Sequence, residues 1–107
     1  CLPFKTQHAS PFRKAQREIR RLGKQQEALP QSMRILSRAF NDYAHTAVTQ
    51  EGLKYFFSQH PETQPLQAEI EKFFLATQEL FFAGKSETIS KPEVEKLARQ
   101  LSLMETP

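Results

Sequence analysis

A chain of 107 residues, 38% hydrophobic and 25% charged, can bury one apolar core and is too short for two. Nine Phe carry much of the apolar volume, and the area they must remove from water excludes a wholly disordered chain. The one Cys, at position 1, excludes an intramolecular disulfide and any multi-cysteine zinc site, and agrees with a reducing compartment.

No segment approaches the roughly eighteen consecutive apolar residues of a membrane span, and no signal-peptide core precedes Phe4. Cys1 reads either as an acylated lipoprotein cysteine or as the first residue after something removed; the charges after it favour the second. The net charge of +3 hides an asymmetry. Residues 1–38 hold nine Lys/Arg against Glu18 and Glu27, whereas residues 39–107 hold six Lys/Arg against ten Asp/Glu. Excess Lys/Arg beside a membrane helix marks the cytoplasmic side and is drawn to anionic headgroups. The alternative is that these residues are only the solvated face of a helix.

Along the chain, residues 1–10 give no period and read as an irregular linker, followed by one helical domain over 11–103. Ser10-Pro11 reads as an N-cap with proline at the first helical position. Phe12, Ala15, Ile19 and Leu22 then recur at helical spacing up to Gly23, with Arg13, Lys14, Arg17, Arg20, Arg21 and Lys24 over the rest of the surface. Pro30 is expected to open a second helix through Met33, Leu36, Phe40, Tyr43 and Ala47, ending near His45, with Thr49 capping the next one. A short third helix over Gln50–Gln59 would bury Leu53, Phe56 and Phe57 before His60-Pro61 stops it.

The longest helix is expected from Pro65 to Ala83. Leu66, Ile70, Phe73, Phe74, Thr77, Phe81 and Phe82 spread over a broad arc, which suits an element touched from two sides and placed centrally. Gly84 is its natural C-cap. Ser90-Lys91-Pro92-Glu93 is a capping box with an early proline, opening a last helix through Val94, Leu97, Ala98 and Leu101. Residues 104–107 are expected to fray. No strand pattern or repeat is present, so the chain reads as all-α, a compact bundle of about five helices around a central long one.

Chemistry-bearing motifs are sparse. His8, His45 and His60 lack metal-ligand spacing; His45 and His60 fall near helix C-termini, where a partly positive imidazole is favourable. Asp42, between Phe40 and Tyr43, is the carboxylate nearest a buried stripe, and pairing with His45 or His60 would make a cryptic carboxylate–histidine site. There is no phosphate loop, calcium loop or nucleophile elbow, so no catalytic residue, metal or cofactor is assigned. Thr77, inside a Phe stripe, is expected to bond back to the carbonyl one turn earlier. The first helix invites comparison with nucleic-acid binders, whose phosphate contacts are strongly salt-dependent. Without a recognisable helix-turn-helix pair, and with the rest of the chain acidic, a membrane surface or acidic protein accounts for its charges more economically.

The order “FRKAQREIRRLGK”, “ILSRAFNDYAHTAVTQEGLKYFFSQHP” and “PLQAEIEKFFLATQELFF” resembles the C-terminal cytoplasmic part of the MxaA-like proteins of methylotrophic bacteria. The resemblance spans about residues 12–82 and lies in the arrangement, not in a catalytic motif. It implies a membrane-anchored accessory factor in maturation of a calcium- and quinone-dependent methanol dehydrogenase, with this part on the cytoplasmic side of the inner membrane. The dehydrogenase is periplasmic, and Asp42, Glu51, Glu62 and Glu69 lack clustered calcium-ligand spacing, so calcium handling is not expected of this segment. The reading is therefore a non-catalytic module for an unidentified protein partner, with Arg13, Lys14, Arg17, Arg20, Arg21 and Lys24 facing that partner or an anionic membrane. The expected core is Phe12, Ile19, Leu22, Leu36, Phe40, Tyr43, Leu53, Phe56, Phe57, Ile70, Phe73, Phe74, Phe81 and Leu97.

Overall fold

A computed structural model describes residues 10–23, 27–85 and 87–105. Among them are five α-helices and no strand: α1 Pro11–Leu22, α2 Ala28–Ala44, α3 Leu53–Gln59, α4 Gln67–Ala83 and α5 Lys91–Met104, with a 3-10 helix at Pro61–Leu66. The all-α reading holds.

The helix ends follow local chemistry, with shifts. Helix α2 begins at Ala28, about half a turn before Pro30, which is accommodated in the first turn because its missing N–H has no helical partner there. Helix α3 starts at Leu53; the preceding turn is instead closed by Thr49, whose Oγ1 accepts the Gly52 N–H at 3.1 Å. Helix α4 starts at Gln67, since Pro65 lacks the donor an α ladder needs there and the segment Pro61–Leu66 tightens into 3-10 geometry. His45 closes α2 in the left-handed region at φ 59°, and Gly84 closes α4 at φ 78°.

The capping box of α5 is complete. Ser90 Oγ accepts the Glu93 N–H at 3.4 Å, and the Glu93 carboxylate accepts the Ser90 N–H at 2.8 Å. Ser90→Ala should cost about 1 kcal/mol, read as a lower urea midpoint with an unchanged slope.

Helix directions follow from contacts at their ends. The Phe12 and Phe40 rings meet at 5.0 Å, so the start of α1 lies beside the later half of α2 and the two are antiparallel. Arg20 reaches Glu95, while Phe12 reaches Glu105, so α5 is antiparallel to α1. Lys72–Glu93 and the Glu79–Thr88 hydrogen bond carry α4 past the start of α5. Helix α1 packs chiefly on α2 and α5, and α4 touches those same two helices.

One continuous apolar cluster joins all five helices. Phe40 is its hub, with ring contacts to Phe12, Phe56, Phe73 and Phe74 at 5.0–6.0 Å. Of the expected core, Phe12, Ile19, Leu36, Phe40, Leu53, Phe56, Phe57, Ile70, Phe73, Phe74 and Leu97 are buried. Thr77 donates to the Phe73 carbonyl at 2.9 Å, as its place in the stripe required.

Three expected core residues are not buried. Leu22 is half-buried because it ends α1 at the edge of the bundle. Tyr43 is half-buried because its ring packs on Phe12 while its hydroxyl donates to the exposed Glu62. Phe81 is 81% exposed: it continues the core-facing arc of α4, but the core cluster takes Leu80, the residue before it, and does not reach Phe81. The tail also differs from expectation. Helix α5 runs through Met104, and Glu105 is tied to α1; residues 106–107 lie outside the described residues.

Candidate interaction surface

The first helix carries the expected cations on its outer side. Arg13, Lys14, Arg17, Arg20 and Arg21 are all exposed; Lys24 lies outside the described residues. Burial of Phe12, Ala15 and Ile19 orients them, since at about 100° per residue the remaining positions must face water. The five are not electrically equivalent. Arg20 Nε stands 3.6 Å from Glu95, and Arg13 lies against Glu105. Lys14, Arg17 and Arg21 form no ion pair among the described residues.

Ser10 occupies the N-cap position of α1, yet its hydroxyl makes no cap bond. The cap comes from the other end of the chain: Glu105 accepts the Phe12 N–H at 2.7 Å and the Arg13 N–H at 3.2 Å. A carboxylate at a helix N-terminus meets both orphan donors and the positive end of the dipole. Burial holds the Glu105 carboxyl above the usual carboxylate range, against the pull of these N–H groups, the Ser10 hydroxyl and the Arg13 charge.

A second surface is one that sequence periodicity conceals. Phe81 is 81% and Phe82 75% exposed, with their rings edge-to-face at 5.3 Å at the end of α4. Helical spacing assigns Phe81 to the core and Phe82 to the buried arc; both stand in water instead. With 150–250 Å² per aromatic side chain, the pair leaves roughly 300 Å² of ring surface exposed. Leu75, 43% exposed, lies one heptad before Phe82 on the same outer side of α4. A standard interface buries about 800 Å² per partner, so the rings could anchor a contact but not constitute one alone. The run Leu80-Phe81-Phe82 at the end of a helix is the available signal; only the bundle's reach decides its burial.

The titratable groups meet elsewhere. His60 Nδ1 lies 3.3 Å from Glu62, and Tyr43 donates to the same carboxylate. At Glu62, burial opposes ionisation, but the Tyr43 hydroxyl, its own backbone and His60 outweigh it and hold the carboxyl below its ordinary value. Burial, then Glu62, pushes the Tyr43 phenol well above its ordinary value. Asp42 and His45 do not form the carboxylate–histidine site considered from the sequence: Asp42 is exposed, and His60 is engaged by Glu62 instead. No group of three His, Cys, Asp or Glu able to hold a metal occurs among the described residues. A groove of about 730 Å³ between α3 and α4, floored by Leu53 and Phe57, is rimmed by both Lys54 and Lys72 and Glu51 and Glu71, so it favours neither charge sign.

No protein-family model matches this chain, and no curated protein or solved structure shows significant similarity to it. None of the helices is long and apolar enough, over the described residues, to cross a membrane.

Proposed function

We propose that this chain is a non-catalytic protein-interaction module, and that Phe81 and Phe82 anchor its partner. The exposed pair carries the reading: two adjacent rings held in water at a helix end contribute nothing to the core and gain free energy only when something covers them. Aromatic side chains are also the commonest energetic anchors of interfaces. The basic face of α1 supplies a second contact, to an anionic membrane or an acidic partner. In keeping with the resemblance to MxaA-like proteins, the module acts on the cytoplasmic side of the inner membrane within a membrane-anchored accessory protein of methanol dehydrogenase maturation.

The test places a photo-crosslinking amino acid at position 82, and separately at Gln59 on the other side of α3 as a control, in the full-length protein in its native cells. A discrete adduct from position 82, lost with Phe81→Ser and absent from position 59, supports the anchor. No adduct, or the same adduct from both positions, rejects it. For the process, cells carrying Phe81→Ser/Phe82→Ser should lose most of their periplasmic methanol dehydrogenase activity. Full activity at wild-type levels of the variant protein would refute the maturation role.

A further inference from the structure

The cationic surface is wider than the first helix. Arg34 and Arg38 stand on α2, four residues apart, outside its buried stripe and in no ion pair among the described residues. Burial of Ser32, Met33, Leu36, Ala39 and Phe40 puts the core on one side of α2, and at about 100° per residue Arg34 and Arg38 fall opposite Leu36. The Phe12–Phe40 contact sets the level of the antiparallel pair. Equal rise along both helices then brings Lys14 level with Arg38, and Glu18 level with Arg34, one residue past Arg17.

On α1, Gln16 and Arg20 are on the flank that meets α5, through Ser102 and Glu95. Lys14 and Arg21 fall on the other flank, towards α2, with Arg17 outermost. Two rows of cations therefore run side by side on neighbouring helices, about 8–10 Å apart at the axes. The described carboxylates on these two helices and the α2 cap are Glu18, which is half-buried, and Glu27 and Asp42 near the ends of α2. Glu18 stands on the α2 flank of α1, so the two rows place five cations around one half-buried carboxylate, and positive charge prevails.

We infer that Lys14, Arg17 and Arg21 of α1, together with Arg34 and Arg38 of α2, form one binding face for an anionic lipid bilayer surface. This rests on the proposed contact through the basic face of α1 and adds the α2 row and the identity of the partner. Charge complementarity selects an anionic occupant. Shape selects the bilayer: cations shared by two side-by-side helices meet a plane together, whereas a nucleic-acid groove takes a single protruding helix. No Phe or Tyr is among the exposed large apolar residues of α1 or α2, so bases have no ring there to stack on. Among the described residues, the exposed rings Phe81 and Phe82 stand on α4, not on the two helices that carry these cations. The contact is therefore superficial and electrostatic, and it reverses with salt.

The experiment is flotation of the full chain with vesicles of phosphatidylcholine alone or with one-third phosphatidylglycerol, at low and at high salt. The wild type should bind only the anionic vesicles and release at high salt. Each cation near an anionic surface strengthens partition about fivefold, so Arg34→Gln/Arg38→Gln should weaken binding about 25-fold. Lys54→Gln/Lys96→Gln removes equal charge from α3 and α5, away from this face, and should change binding less than about twofold. Equal losses from both double variants would show a net-charge effect and overturn the two-row face. Absence of wild-type binding to anionic vesicles, or tighter binding to duplex DNA at the same salt, would overturn the lipid assignment. A crosslink from position 82 would survive either result, so the two proposals fail separately.

Discussion

Phe40→Ala should remove about 3–5 kcal/mol of stability, the cost of deleting a large buried aromatic side chain and leaving part of its volume empty. Phe40 is fully buried and touches four other rings, donated by α1, α3 and α4, so little nearby can collapse into the space. A domain of this size has on the order of 5–15 kcal/mol in total. The variant is therefore expected to melt on the order of 15–25 °C lower or to be partly unfolded at room temperature. Phe81→Ala is the internal contrast: the same atoms are deleted where the ring is 81% exposed, and the change should stay within about 0.5 kcal/mol. Parallel urea and thermal melts decide both. Similar losses at the two positions would mean that Phe81 is covered in solution.

Glu105→Ala should cost roughly 1–2 kcal/mol at neutral pH, because it strips the acceptor from two N–H groups at the start of α1. It also releases the end of α5 from α1, so amide exchange should quicken at both ends. Glu105→Gln is expected to cost less, since an amide oxygen can still accept. Their pH dependence separates charge from shape. A carboxyl whose folded value is raised binds its proton more tightly in the native state than in the unfolded chain. Its contribution is complete below the unfolded value of about 4.3 and is lost as the pH rises through the folded value. The stability of the wild type relative to Glu105→Gln should therefore fall as pH rises above about 4 and then level off. A difference that grew with pH would mean that the N–H bonds and Arg13 outweigh burial.

Local chemistry makes several features legible in advance. Ser90 and Glu93 cap one another because both groups lie within one turn, and no tertiary contact is needed. Thr77 bonds back to Phe73 for the same reason. The exposed cations of α1 are equally readable, because three buried residues at helical spacing determine where every other side chain points. The proline-rich segment before α4 departs from expectation: its composition marks a helix start but does not distinguish α from 3-10 geometry.

The remaining differences share one cause. Phe73 and Phe81 lie on the same core-facing arc of one helix, and no periodicity tells them apart. Their fates differ because the core cluster reaches Phe73 but not Phe81, and that depends on how separate helices are placed. Glu105 and Ser10 carry the same lesson, since the cap of α1 arrives from a residue 93 positions away. So does the shared level of Arg38 and Lys14, which requires knowing which helix lies next to which and in what register.

The amino-acid sequence by itself determined the helical class, the identity of the faces and most of the aromatic core, because these rest on spacing within a few residues. Tertiary structure alone decided which apolar side chains run out of cover, which carboxylate closes α1, and which arginines stand next to one another. Those outcomes depend on the relative lengths and placement of helices, and no local pattern encodes them.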